Sequence, residues 1–400
     1  MKKFVKNKLK IFGIVLCCMV AFFALTMLAG CSGKSLSGMI KNAENGETVL
    51  LEKDMTSDDE VFVNQDLTLD LGARMLTLQK PIVVKNGATL TVTNGNVYGG
   101  GDEQECLFKV AGKLVVDGAI IKASGNTNGI TNAGNTQIKK GKIAGYYGIE
   151  NSGSLVVDDG TIYTTQQEPY GFAIKNSGSV TIKKGTVGET KINHNYGTIY
   201  ITSGIENGGM DFGGGTVIIE DGYIGSVYSQ GKNAKAYFFG GKIEGVANIY
   251  GYVEAEDKKG NLVFAGGSPL YCLGGTAVIK SGTFTDRYDE FHAPNGAIVK
   301  LDGTVTIYGG SFCETEIQGN VTASIYGGTF NNNVKIGTVG FVELKGGTFK
   351  QGVEIDEHTH ELMQQDIFVL GDILAKGYKF SVEVDKNLKE ITQEFSVVQE

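Results

Sequence analysis

Glycines recur in pairs seven residues apart: Gly134 with Gly141, Gly153 with Gly160, Gly178 with Gly185, Gly197 with Gly204, Gly215 with Gly222, Gly275 with Gly282, Gly303 with Gly310 and Gly340 with Gly347. Within a pair the residues alternate, as Leu155 and Val157 do in the stretch from Asn151 to Tyr163. Alternation at period two marks a half-buried strand, and the glycines punctuate its ends. The second glycine is followed by the start of another strand, as in Gly160-Thr161-Ile162 and Gly347-Thr348-Phe349. Asn stands nine residues before that second glycine at Asn86, Asn132, Asn151, Asn176 and Asn195. There a side-chain amide can bond its own backbone through the turn or tolerate positive φ.

Taking the second glycine as marker, copies stand at 95, 118, 141, 160, 185, 204, 222, 241, 282, 310, 328 and 347, mostly 18 to 25 residues apart. The 41-residue gap before Gly282 holds a degenerate copy at Asn261 to Gly267. Strands and glycine turns at such a period specify a β-solenoid, in which each unit buries its apolar face only by stacking on its neighbours. Adding at least one coil before Gly95 predicts roughly 14 coils of three short strands, about 65 Å of stack at ~4.8 Å per strand. Ile143, Ile162, Val187, Ile205, Ile224 and Ile243 are expected to lie over one another as one interior column.

The chain opens differently. Lys2, Lys3, Lys6, Lys8 and Lys10 precede an apolar run from Ile11 to Leu28, the pattern of an export signal. The run ends in Leu28-Ala29-Gly30-Cys31, which resembles the lipobox of bacterial lipoproteins. That resemblance implies cleavage before Cys31, lipid attachment to its thiol, and a chain held at the membrane with its body on the extracellular side. Residues 31 to 400 carry 31 basic against 44 acidic side chains, a net charge of −13, which argues against nucleic acid as a partner. Beyond Cys31 the cysteines are Cys106, Cys272 and Cys313, irregularly spaced and beside apolar residues; they read as small core fillers, with one disulfide as the alternative.

Leu36, Met39, Ile40 and Ala43 recur at helical spacing, predicting an amphipathic helix of about three turns within 35 to 45 that closes the open first rung. The organisation expected is a signal at 1–30, tether and cap helix at 31–46, β-helix at 47–355 and a C-terminal cap at 356–400. That cap is expected to hold a short helix near Ile373 to Lys376 and a hairpin around Asp385 to Leu388.

The alternating run Leu67 to Leu78, the Gly-Gly-Thr-Phe boxes at Gly327 to Phe330 and Gly346 to Phe349, and Asp372 to Tyr378 resemble right-handed parallel β-helix surface proteins of the pectate-lyase-like superfamily. The resemblance covers about residues 36 to 380. It implies an all-β, single-stranded right-handed parallel β-helix. It does not fix an activity, because that scaffold carries lyases, hydrolases and adhesins alike.

Enzymes on this scaffold need carboxylates converging on calcium with a cationic base, or two or three acidic residues on one face. The chain has only two arginines, Arg74 and Arg287, and lacks the hydrolase boxes of that family. The richest polar insertion follows Gly282, where the spacing swells to 28 residues and places Asp286, Arg287, Tyr288, Asp289, Glu290 and His292 on one turn. This turn is a candidate sugar-binding or catalytic loop, since long turns carry specificity on solenoids. Trp, the commonest sugar platform, is absent, but Tyr146, Tyr147, Tyr163 and Tyr170 fall in neighbouring coils and form a second candidate strip for stacking on pyranose rings. Asp158 with Asp159 reads as a turn cap, and His358 with His360 as a solvated start to the C-terminal cap. No cofactor or metal is expected. The leading expectation is a non-catalytic, adhesin-like or glycan-contacting surface lipoprotein whose partners are the membrane and a polysaccharide or host surface. A polysaccharide lyase or glycoside hydrolase, and a passive envelope spacer, are the alternatives.

Overall fold

A computed structural model of the full chain describes residues 35–101, 103–165, 172–188, 198–201, 215–266, 269–285, 298–338, 340–356 and 369–400. Three parallel ladders build the body. The first runs from Thr48–Leu50 to Phe341–Leu344. The second runs from Met55–Ser57 to Thr348–Phe349. The third runs from Val61–Val63 to Val353–Ile355. Among the described residues each ladder numbers 14 strand segments, of which 12 have a parallel neighbour on both sides, so the molecule is an all-β parallel β-solenoid of about 12 sandwiched turns.

Alternation within each strand sends one set of side chains into a single continuous core. Ile143, Ile162, Val187, Ile224 and Ile243 do stack in register on the second ladder. Val187 pairs directly with Ile224; Ile205 lies outside the described residues. Thr198–Ile201, inside the Gly197 to Gly204 interval, pairs with Ile174–Asn176 on the third ladder. Two first-ladder strands, Thr48–Leu50 and Leu67–Asp70, precede the one that leads to Gly95, and the solenoid has about 12 turns where the spacing predicts roughly 14.

From Phe264 onward the same column turns aromatic. Phe264, Phe284, Phe312, Phe330, Phe349 and Phe395 stack with centroids 4.6 to 5.0 Å apart and nearly parallel planes. Each such contact adds about 0.5–1.5 kcal/mol beyond area burial. The glycine rhythm has a steric cause. At Gly222, φ is 111° and an added Cβ would lie 2.4 Å from the carbonyl oxygen of Gly185 in the coil above.

Helix α1 spans Leu36–Asn42, shorter than the spacing predicts, with Ser35 Oγ accepting from the Gly38 amide as N-cap. Leu36 and Ile40 are its buried residues, and it packs on the first strands of the second and third ladders. At the far end Phe395–Gln399 and Glu390–Ile391 run antiparallel to the last rungs of those two ladders. The helix expected near Ile373 to Lys376 is not formed: Leu374 makes a parallel bridge to Leu344, because the last first-ladder strand needs backbone partners that a helix would withhold. The hairpin expected around Asp385 to Leu388 forms only in part: Asp385 to Leu388 is a turn and Tyr378–Phe380 runs antiparallel to the end of Phe395–Gln399, but Glu390–Ile391 between them pairs with the third ladder.

Candidate functional site

With the interior given over to stacking, chemistry falls to the outward positions. Cys31, Asp286, Arg287, Tyr288, Asp289, Glu290, His292 and Tyr170 all lie outside the described residues, as do His194, His358 and His360. Tyr146 and Tyr147 are brought together at the bend between the second and third ladders, with ring centroids 4.7 Å apart, edge to face. Tyr147 also stacks on Phe172 at 6.1 Å, and the Lys175 ammonium stands 5.0 Å from its centroid. Lys175 is shared with Glu150 at 3.4 Å, and Glu150 accepts from Asn128 at 3.0 Å. Both tyrosines are half-buried. Tyr163 stands on the next rung of the second ladder, in register with Ala144.

Asp158 and Asp159 behave as turn residues. Asp159 accepts from the amide of Gly160 at 2.7 Å. Asp158 accepts from Lys183 at 2.7 Å and Gln137 at 2.5 Å, and those bonds hold its carboxyl below the usual range. Cys106, Cys272 and Cys313 form no disulfide among the described residues; burial pushes Cys106 up to about 11 and raises Cys272 as well. Among the described residues no three metal-ligating side chains converge.

An exposed aromatic pair lies elsewhere, on the outer face of the first ladder in its last coils. Ile307 and Ile325 point inward and pair in register, so Tyr308 and Tyr326, the next residues along, point outward. They are 53% and 43% exposed, and their rings stack at 5.1 Å with planes 15° apart. Lys345, one rung further on, sets its ammonium 4.8 Å from the Tyr326 centroid. Beside this column run two others, one of Thr276, Thr304 and Thr322 and one of Val278, Thr306 and Ser324, each in register from rung to rung. β-Branched residues suit such outward strand positions.

Ionic groups bound this panel and satisfy one another. On one side Glu254 accepts from Lys280 and from the Tyr252 hydroxyl, each at 2.6 Å, and these bonds hold its carboxyl low. Lys280 also reaches Glu256 at 3.2 Å, and Lys258 lies 3.7 Å from Glu256 and over the Phe239 ring at 3.5 Å. On the other side Lys345 is bonded to Glu343. The Tyr252 phenol is pushed up by burial and by its bond to Glu254. Sequence reasoning missed this panel, although Ile-Tyr-Gly-Gly appears twice, 18 residues apart, at Ile307 and Ile325.

The chain matches no protein-family model, no curated protein and no solved structure with which it was compared.

Proposed function

We propose that this is an exported, lipid-anchored β-helix protein of the pectate-lyase-like type that contacts glycans at the cell surface without turning them over. The observation that carries this reading is the panel of Tyr308 and Tyr326 beside the threonine columns. Rows of hydroxyls and phenols at fixed intervals suit a partner that is itself a row of hydroxyls. Tyrosine combines a large apolar ring with a polar tip at low entropic cost, which favours it at contact surfaces of this kind. The lysines and carboxylates around the panel are bonded to one another, an arrangement that serves positioning rather than proton transfer. The lipobox ending at Cys31 supports the membrane anchor, and the net negative body supports a partner other than nucleic acid.

The test is to incubate the protein with a set of neutral and uronate-containing polysaccharides while recording both retention and chemistry. Retention without unsaturated products or new reducing ends, and its loss in a Tyr308→Ala, Tyr326→Ala double variant, is the expected result. Product formation would replace this reading with a lyase or hydrolase.

A further inference from the structure

We infer that the ligand of the first-ladder panel is an uncharged, extended sugar chain lying parallel to the solenoid axis; this rests on the glycan-contacting reading above and specifies its partner. The direction follows from register. Thr276, Thr304 and Thr322 repeat along the axis, and so do Tyr308 and Tyr326. Successive rungs are ~4.8 Å apart, so identical groups recur at about the advance of one sugar ring in an extended chain. Across the strands, by contrast, the neighbouring outward positions differ in kind, hydroxyl beside phenol, and offer no repeat.

How the tyrosines engage follows from their stacking. With the two rings parallel at 5.1 Å and the Lys345 ammonium over Tyr326, ring faces are turned toward neighbours in the stack. The exposed parts are therefore the ring edges and hydroxyls. An aromatic edge is the positive part of the quadrupole, and a phenol both donates and accepts. Both suit the oxygens of a sugar laid alongside, so the tyrosines form a rim along a hydroxyl floor rather than a flat platform.

The absence of ligand charge follows from charge balance. Lys258, Lys280 and Lys345 face Glu254, Glu256 and Glu343, and every lysine of this set has a carboxylate partner. A polyanion would have to break these pairs and approach a body of net negative charge, and a polycation would have to compete with the lysines already in place. Among the described residues no guanidinium fork of the kind that grips carboxylates bidentately stands here: their one arginine, Arg74, lies in an early coil. A neutral chain meets neither cost.

The experiment is calorimetric titration of the full chain with two matched series, β-linked neutral oligosaccharides and oligogalacturonates, from two to eight rings. Affinity for the neutral series should rise with length and level off near about three rings, matching the rungs of Thr276, Thr304 and Thr322. Oligogalacturonates should bind at least about tenfold more weakly at every length. Tyr326→Phe, which keeps the ring and removes the hydroxyl, and Thr306→Lys, which places a cation on the floor, should each weaken the neutral series by about tenfold. Tighter, salt-sensitive binding of oligogalacturonate, lost in the same variants, would overturn the neutral-ligand inference while leaving glycan contact intact. Affinity independent of length would overturn the axial placement. Binding of neither series, or self-association that Tyr326→Phe abolishes, would overturn the glycan reading itself.

Discussion

Asn132 donates from its side-chain amide to the side-chain oxygen of Asn151 at 2.6 Å, one rung apart in the interior of the third ladder. Asn151 passes the same bond on to Asn176, also at 2.6 Å, and its amide further reaches the carbonyls of Gly153 and Ser179. The three residues are buried, so each supplies what the other and the adjoining turn would otherwise lack. Asn151→Ala removes the middle of the chain and strands partners on both sides. A loss of about 3 kcal/mol is expected, since an unsatisfied buried polar group costs ~1–3 kcal/mol. Urea denaturation followed by circular dichroism measures it, and a loss within experimental error would show that the amide ladder contributes nothing.

Gly222 and Gly46 both have positive φ, 111° and 84°, but only the first is crowded. An alanine at 222 meets the Gly185 carbonyl, whereas at 46 it meets nothing within 4 Å. Gly46→Ala should therefore cost about 1–2 kcal/mol of backbone strain alone. Gly222→Ala should cost at least about 3 kcal/mol, because a coil must shift as well. Equal losses in the two variants would mean that the coils are less closely stacked than this.

Glu254 is held below its ordinary value of 4.5 by Lys280 and Tyr252. A carboxylate with a lowered folded pKa contributes stability that is present above 4.5 and lost as pH falls through the folded value. Acid titration of the denaturation midpoint from pH 7 to 3 should show that loss beginning below about 4.5, and Glu254→Gln should flatten this part of the profile. An unchanged profile in the variant would assign the acid sensitivity to other groups, Asp158 with Lys183 first among them.

Cys106 and Cys272 are fully buried with raised thiol pKa, while Cys313 is half-buried. Because the thiolate is the reactive form, iodoacetamide at pH 8 should modify Cys313 well before the other two. Peptide mass spectrometry after timed quenching reads the order. Early labelling of Cys106 would contradict the packing of the early coils.

Much of the architecture was legible because stacking leaves so few choices. Period-two alternation and glycines at fixed intervals point to one fold, and the isoleucine column from Ile143 to Ile243 stacks as that rhythm predicts. The rhythm misled at Gly197 to Gly204, where seven-residue spacing is imitated by a strand of the third ladder. It also gave no sign that Asn132, Asn151 and Asn176 bond to one another as well as to their turns, since a bond between coils joins residues 19 and 25 apart. The tyrosine panel escaped for a similar reason. Tyr146 and Tyr147 are adjacent in the chain and easily seen, but they are half-buried at a bend. Tyr308 and Tyr326 meet only through register, as the outward neighbours of two core isoleucines.

The account turns on where a glycan touches the protein, and hydroxyl-radical footprinting of tyrosine with and without a bound neutral oligosaccharide measures that most directly. Protection concentrated on Tyr308 and Tyr326, with Tyr98 and Tyr250 unchanged, is the predicted result. Protection centred on Tyr288 in the 286–297 segment, or no protection at any tyrosine, would contradict it.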